Sequence, residues 1–106
     1  MVSRGDKLES DFQSKLILRL RELVEPDGYV IKADFSAYIQ GFPDILVIYK
    51  GRWAFLECKK SSAASYRPNQ EYYVDDLNRL SFASFIHPGN EDEVIDELHK
   101  VLRLRR

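Results

Sequence analysis

Apolar residues in the first quarter of the chain recur at intervals of three and four, which is the spacing of one face of an α-helix. They are Leu8, Phe12, Leu16, Leu20 and Leu23. Asp6, followed three residues later by Glu9, has the spacing of an N-terminal capping box. Pro26-Asp27-Gly28 would interrupt a helix. The pattern therefore predicts a first helix that runs to about Val24.

Four later stretches have the character of β-strands. Tyr29–Phe35 is rich in β-forming residues, and Phe82–Ile86 is a short apolar run. Ile45–Tyr49 and Trp53–Leu56 are almost continuously apolar, which is typical of central strands buried on both faces. Both faces of such strands must be covered, so we expect helices on both sides of the sheet.

The second half of the chain contains two further helical patterns. Pro68 can open a helix in which one apolar stripe is shared by Gln70, Tyr73, Leu77 and Leu80. Asn90 can cap the last helix while Glu93 reaches back to it. The apolar face of that helix is formed by Val94, Ile95, Leu98, Val101 and Leu102. The predicted order is helix, three strands, helix, strand, helix, in a single α/β domain spanning residues 1–106.

A Lys50-Gly51 turn lies midway between Asp44 and Glu57 and predicts a two-residue hairpin. Tyr49 then faces Arg52, and counting along the ladder brings Glu57 opposite Asp44 with about 5 Å between their Cβ atoms. A three-residue loop would shift this register by one and require a bulge to keep both acids on one face.

The opposed carboxylates predict a divalent-metal site, because two anions this close repel each other without a cation. Lys59 is two residues beyond Glu57, so its ammonium group is expected on the same face. Carboxylate oxygens are ligands that Mg²⁺ accepts while keeping several waters, which suits a sparse ligand set. We expect Mg²⁺, with Mn²⁺ able to substitute.

Composition adds few constraints. The 106 residues are 44% hydrophobic and carry a formal net charge of −1, which disfavours a simple electrostatic coat protein for nucleic acid. Basic residues nevertheless concentrate at both ends and in the middle of the chain: Arg4, Lys7, Lys59, Lys60, Arg67, Arg103, Arg105 and Arg106. The single cysteine and the lack of an apolar leader predict a cytoplasmic protein with no membrane span. The modest size favours pairing with a second copy.

The element order and the acidic motif together resemble the PD-(D/E)XK nuclease superfamily. The motif consists of Gly41-Phe42-Pro43-Asp44 and Glu57-Cys58-Lys59, with Glu57 thirteen positions after Asp44. Glu9 on the first helix and Gln70 early in the second support it. Within that superfamily the chain looks most like stand-alone VRR-NUC type enzymes and Holliday-junction resolvases. The resemblance implies a restriction-endonuclease-like αβββαβ core with a mixed four-stranded sheet flanked by helices, plus a C-terminal helix.

The resemblance also implies roles for individual residues. Asp44, Glu57 and the backbone carbonyl of Cys58 would bind the metal, with Glu9 as a possible further ligand. Lys59 would position or help deprotonate the attacking water, and Glu9 and Gln70 would complete the catalytic set. DNA contacts are expected from Lys60, Arg67 and Tyr66.

Several of these residues have simpler structural explanations. Glu9 can serve only the capping box, and Gln70 can be an ordinary polar residue in a first helical turn. Trp53 and Phe55 are expected to pack beneath the site. Tyr66, Tyr72 and Tyr73 could stack on bases, although aromatic residues at helical spacing are more often core. His87 and His99 are too isolated for a zinc cluster.

Three functions fit these patterns. The first is a Mg²⁺-dependent endodeoxyribonuclease acting as a homodimer on branched or otherwise structured DNA in replication, recombination or repair. The second is a restriction-type or end-processing nuclease directed by a partner. The third is a catalytically inactive nucleic-acid-binding module of the same fold.

Overall fold

The computed structural model describes residues 4–104, with side chains from residue 8 onward. The elements are α1 (Arg4–Val24), β1 (Gly28–Lys32), a 3₁₀ turn (Phe35–Ala37), β2 (Ile45–Tyr49), β3 (Arg52–Cys58), α2 (Gln70–Leu80), β4 (Ala83–Ile86) and α3 (Glu91–Leu102). The sheet order is β1-β2-β3-β4. β3 pairs with β2 antiparallel and with β4 parallel, so the sheet is mixed. The predicted element order and α/β class are confirmed.

The β2–β3 hairpin has the predicted register. Tyr49 is the ladder partner of Arg52, and Ile45 is the partner of Leu56. Lys50 has a φ of 52°, the left-handed conformation that a tight two-residue turn requires. The three-residue loop is therefore excluded. Asp44 comes one residue before Ile45, and Glu57 comes one residue after Leu56. The two acids therefore lie next to this last ladder pair.

One face of the sheet carries the main hydrophobic core beneath α1 and α3. Alternate residues of β2 and β3 point to this side and are fully buried, among them Val47, Ala54 and Leu56. The helices contribute Leu16, Leu20, Val24, Leu98 and Leu102. Full burial of one such aliphatic side chain is worth about 1.5–3 kcal/mol relative to exposure. This hydrophobic core therefore holds in place the sheet whose other face carries the polar residues Asp44, Glu57 and Lys59.

The other face is covered only in part. α2 packs over β3 and β4, where Val74, Leu77 and Ala83 form a second buried cluster. The predicted stripe on α2 is wrong at two positions. Its last member, Leu80, is 58% exposed, and Val74, which the predicted stripe does not include, is buried. Within residues 4–104, α2 leaves the half of this face formed by β1 and β2 open. Tyr29 and Ile31 on β1 are 70% and 39% exposed.

The boundaries of three strands differ from the prediction. β1 and β3 begin one residue earlier than predicted, at Gly28 and Arg52, and β4 begins one residue later, at Ala83. β1 ends at Lys32 rather than Phe35, because the chain turns into a 3₁₀ helix that begins at Phe35. β3 extends to Cys58, two residues beyond the predicted end, since its parallel pairing with β4 continues to that residue.

Of the two predicted helix caps, Asp6 is wrong, whereas Asn90 is at the N-cap position of α3 as predicted but without the expected side-chain bond. Asp6 lies inside α1, which already includes Arg4, so it is not the N-cap; its side chain lies outside the described residues. Asn90 makes no side-chain capping bond to α3. Its amide instead accepts a hydrogen bond from the backbone N–H of His87 and donates one to the carbonyl of Phe85. Asn90 thus closes the β4–α3 loop.

Within residues 4–104, no helix combines the length and apolar character needed to cross a lipid bilayer.

Gly41 generates a testable prediction, because its backbone allows the loop before β2 to approach α2. Its φ is +90°, and a Cβ there would lie 2.5 Å from the carbonyl oxygen of Pro68. We expect Gly41→Ala to lower the free energy of unfolding by at least about 1–3 kcal/mol, the cost of such strain alone, as measured by urea denaturation. Gly51→Ala is the matched control, since nothing described lies within 4 Å of its added Cβ. Equal stability of the two variants would contradict this account.

Candidate active site

Asp44 and Glu57 lie on the wall of one open cleft of about 630 Å³. Asp44 immediately precedes β2, and Glu57 is the penultimate residue of β3. Strand alternation directs both side chains to the α2 side of the sheet, away from the main core. The cleft is also lined by Glu9, Gln13, Lys59, Lys60, Arg67 and Gln70. The hairpin therefore brings the two predicted acids together at one end of the sheet.

The Asp44 carboxylate is only partly satisfied by hydrogen bonds. Gln13 on α1 donates from Nε2 to Oδ2 at 3.2 Å. Oδ1 is buried without a hydrogen-bond partner among the described residues. Burial raises the pKa of Asp44, and the bond from Gln13 opposes that shift. An uncompensated buried carboxylate oxygen is a position where a cation would be stabilised.

Glu57 is more strongly perturbed. Its side chain is buried, and burial together with the nearby charge of Asp44 raises its pKa to about 8. Lys59 opposes the shift, and Glu9 adds to it. At neutral pH the metal-free site therefore holds a proton on Glu57. A bound cation would compete with that proton.

Lys59 is a buried ammonium group held by neutral partners. Its Nζ donates to Gln70 Oε1 at 2.6 Å and to the Ser65 carbonyl at 3.1 Å. Nζ also lies 5.5 Å from the ring centroid of Tyr66, close enough for a cation–π contact. Among the described residues, no carboxylate lies within salt-bridge distance of Lys59. Its charge is therefore oriented without being neutralised.

Gln70 connects Lys59, which follows β3, with the loop before α2 through hydrogen bonds. It is 5% exposed, and its Oε1 accepts from the backbone N–H of Arg67 at 2.8 Å as well as from Lys59. Asn69, immediately before α2, has a φ of 68°, and this left-handed residue helps turn the chain into the helix. Gln70 is thus more than a solvated first-turn residue. Its direct role in catalysis stays a prediction.

The other predicted site residues are distributed around the cleft. Glu9, Lys60 and Arg67 line it. Tyr66 lies beside Lys59 and is 50% exposed. Arg103 is exposed on the surface, and the side chains of Arg4, Lys7, Arg105 and Arg106 lie outside the described part of the chain.

Cys58 behaves as the strand alternation predicts. Its thiol is 1% exposed and belongs to the core on the opposite face of the sheet. Burial raises the pKa of this thiol to about 12. The side chain is therefore excluded from the cleft, while the backbone at Cys58 remains between Glu57 and Lys59.

The aromatic residues divide into two groups. Trp53 and Phe55 pack together with ring centroids 5.8 Å apart, and both are partly buried against the cluster on the α2 side of the sheet, which fits the predicted packing role but does not place Trp53 under the site. The expectation of a core position is wrong for Tyr66 and Tyr72, which are 50% and 65% exposed. Tyr66 is exposed because its ring covers Phe85 and Lys59 from the outside.

Three parts of the site were missed by sequence reasoning. Gln13 is four residues after Glu9 and so shares its helix face, a signal that could have identified it. The Ser65 carbonyl has no sequence signature. A second cleft of about 550 Å³, lined by Lys32, Ser36 and Gln40, adjoins the acids.

The donor set fits a hard divalent cation, although side chains alone do not complete it. In the described region, no group of three or more His, Cys, Asp or Glu residues is arranged to hold a metal. Asp44 and Glu57 nevertheless offer adjacent carboxylate oxygens, one of them unpartnered. Mg²⁺ needs only one or two carboxylates when waters and phosphate complete its shell. The residues present are consistent with that mode of binding.

Comparison with known proteins identifies the fold. No model of a known protein family matches the chain, and no curated protein matches it either. A solved structure described as a VRR_NUC domain protein superposes with a TM-score of 0.63 at 15% sequence identity. The match covers 95% of this chain and 93% of the other. The chain shares its fold with a VRR_NUC domain protein.

The raised pKa of Glu57 predicts how stability depends on pH. The folded metal-free protein holds this proton more tightly than the unfolded chain. Its contribution to stability is therefore full below about pH 4.5 and is lost as pH rises towards about 8. In EDTA, Glu57→Gln should be more stable than the parent above pH 8 by on the order of a few kcal/mol. The measurement is urea denaturation across this pH range.

The matched control is Glu22→Gln, which alters an exposed residue of α1. This variant should keep the pH dependence of the parent protein. A Glu57→Gln variant with the same pH profile as the parent would show that Glu57 has an ordinary pKa.

Proposed function

We propose that this protein is a metal-dependent endodeoxyribonuclease that hydrolyses phosphodiester bonds in branched or otherwise structured DNA, Holliday junctions included, in replication, recombination or repair. One observation carries the proposal: the half-buried Asp44, the buried Glu57 and an oriented lysine line one open cleft. The fold shared with a VRR_NUC domain protein supports the same reading.

Asp44 and Glu57 would hold the metal, together with the backbone carbonyl of Cys58. Glu9 lines the same cleft and would act as a further or indirect ligand. Mg²⁺ fits a site of hard oxygen donors that is open to phosphate and water, and Mn²⁺ would substitute. When bound, such an ion supplies charge neutralisation at the phosphate and makes water a better nucleophile.

Lys59 would act on the reacting phosphate. An ammonium group has three N–H donors, and two of them are directed to Gln70 and the Ser65 carbonyl. Among the described residues the third has no acceptor, so it would be available to contact a phosphate oxygen or the attacking water. Because the two acceptors are neutral, the positive charge remains available to stabilise the negative charge that develops in the transition state. Gln70 would act as a positioning residue for Lys59.

Lys60 and Arg67 are exposed cations beside the acids and would contact the phosphate backbone. Phosphate contacts fix the position of a nucleic acid but do not read its sequence. Recognition of shape therefore fits this site better than recognition of a long base sequence. A partner-directed nuclease would use the same residues for the chemical step.

A second copy of the chain would cover the open half of the sheet. Apolar residues surround a groove of about 570 Å³ on this face, formed by Leu46, Ile48, Trp53, Leu77 and Leu80. Tyr29 and Ile31 extend the apolar surface across β1. Stable interfaces bury about 800 Å² on each partner around an apolar centre. This face supplies such a centre, and pairing would bring two sites to two DNA strands.

Cleavage assays test the nuclease proposal. Four-way junction, flap, duplex and single-stranded DNA should be compared with Mg²⁺, with Mn²⁺ and with EDTA. We expect cleavage only with metal, and Asp44→Asn or Glu57→Gln should reduce the rate at least about 100-fold, because each removes charge from the metal site. Lys59→Ala should lose cleavage while keeping Mg²⁺ binding measured by calorimetry.

Two outcomes would contradict parts of this proposal. Equal cutting of every DNA form would refute structure specificity. Tight DNA binding without turnover in either metal would instead identify a binding module with this fold.

Light scattering tests the pairing surface. The parent protein should have the mass of a dimer, and Leu80→Glu should shift it to the monomer mass because a charge would be buried in an apolar interface. Leu18→Glu is the matched control, since Leu18 is 60% exposed on α1 and Leu80 is 58% exposed. A monomeric parent protein would refute the pairing.

A further inference from the structure

Gln13 is a polar residue of the active-site cleft that takes no part in the proposed chemistry. It lies on α1 four residues after Glu9, and both side chains line the cleft. This spacing places them on the same face of the helix, one turn apart. Phe12 and Leu16, on either side of Gln13 along the helix surface, pack into the main core. The core therefore fixes the rotation of α1 and directs the Gln13 amide towards the acids.

The amide of Gln13 treats the two oxygens of Asp44 differently. Its Nε2 donates to Oδ2 at 3.2 Å. Oδ1 is buried and has no hydrogen-bond partner among the described residues. A buried acceptor without a partner costs free energy, and a cation that reached it would remove that cost. Gln13 thus holds one oxygen of the carboxylate and leaves the other unsatisfied.

The chemical nature of the donor matters as much as its position. A carboxamide donates an N–H without carrying a net charge, so Asp44 keeps its own charge. A lysine or arginine would also donate, but it would form an ion pair with Asp44 and compete with a metal ion. A side chain without a donor would leave the carboxylate free to rotate, because the second torsion of an aspartate is soft. Glutamine therefore orients this carboxylate without neutralising it.

The same hydrogen bond has a simpler explanation, in which Gln13 only satisfies a half-buried carboxylate for the sake of stability. The unpartnered Oδ1 argues against it. Buried polar atoms in native proteins are normally satisfied, so an exception indicates a missing partner. The exception lies in an open cleft whose wall includes a second carboxylate, Glu57. This setting favours a metal ion as the partner.

From these observations we infer that Gln13 is a positioning residue for the divalent cation: its neutral N–H holds Asp44 in the orientation that binds the ion and so sets the affinity of the site for metal. The inference rests on the proposed function, because it concerns the metal of the proposed nuclease site. Gln13 contacts neither the ion nor the reacting phosphate in this account. It acts only through Asp44.

Calorimetric titration of the full chain with Mn²⁺ alone, without DNA, tests the inference apart from catalysis. At about pH 8.5 Glu57 has released most of its proton, which limits competition between proton and metal. Gln13→Met keeps the length and helix propensity of the side chain and removes the donor. We expect it to weaken Mn²⁺ binding about 10- to 100-fold, the usual effect of removing a residue that orients a metal ligand.

Gln13→Lys tests whether the donor must be neutral. This variant keeps an N–H donor beside Asp44 and adds a positive charge. It should also weaken Mn²⁺ binding, by at least about 10-fold, because the ammonium group takes the charge that the ion uses. In EDTA it should unfold at a higher urea concentration than the parent, since Asp44 gains an ion pair, whereas Gln13→Met should unfold at a lower one. A residue that served stability alone would not lose metal affinity in both variants.

Ser14→Met and Ser14→Lys are the matched controls. Ser14 is the next residue of α1, is exposed and lines neither of the two clefts that contain the acids. The two controls introduce the same side chains, and the same change in charge, on the same helix. Both should bind Mn²⁺ as the parent protein does.

The inference is overturned if Gln13→Met binds Mn²⁺ as tightly as Ser14→Met, if Gln13→Lys binds it as tightly as Ser14→Lys, or if the parent protein takes up no Mn²⁺. Failure of the proposed function is a different result. Metal-dependent DNA cleavage with unchanged metal affinity in the Gln13 variants would leave a nuclease without this positioning residue. Metal binding that depends on Gln13, without cleavage of any DNA, would leave a metal site that serves another function.

Discussion

The register of the β2–β3 hairpin is the constraint on which the rest of the site depends. A two-residue turn at Lys50 and Gly51 fixes which residues face each other, and the ladder carries that choice to Asp44 and Glu57 at the far end. Two carboxyl groups held in this way cannot separate to relieve their repulsion. Burial, together with this repulsion, raises the pKa of Glu57 to about 8. In the proposed function, the same repulsion is the physical reason why a cation would bind there.

The supporting residues orient the polar groups without neutralising them. Gln13 reaches Asp44 from α1, and Gln70 reaches Lys59 from the start of α2. Both partners are neutral amides. A carboxylate in place of the Gln70 amide would form a salt bridge with Lys59 and neutralise the charge that the proposed function uses. α1 and α2 thus hold the Asp44 and Lys59 side chains in place from opposite sides of the sheet.

Sequence patterns predicted the elements and the hairpin because those depend on local periodicity and turn chemistry. Ile45–Tyr49 matched its strand at both ends, and the acids were located from the turn alone. Prediction failed where tertiary contacts decide the outcome. Asn90 has the sequence of a helix cap, yet its amide is used by the β4–α3 loop. Tyr66 is exposed because Phe85 and Lys59 lie beneath it, which no spacing along the chain reveals.

The position of Cys58 limits which substitutions this part of the protein can accept during evolution. It is enclosed by the core, while its neighbours on either side, Glu57 and Lys59, face the cleft. A larger side chain at this position would push against α1 and α3 and rotate the end of β3, turning both polar neighbours with it. Chemistry and packing therefore cannot diverge independently along these three residues. Substitutions in the interior layer would therefore also change the geometry of the cleft.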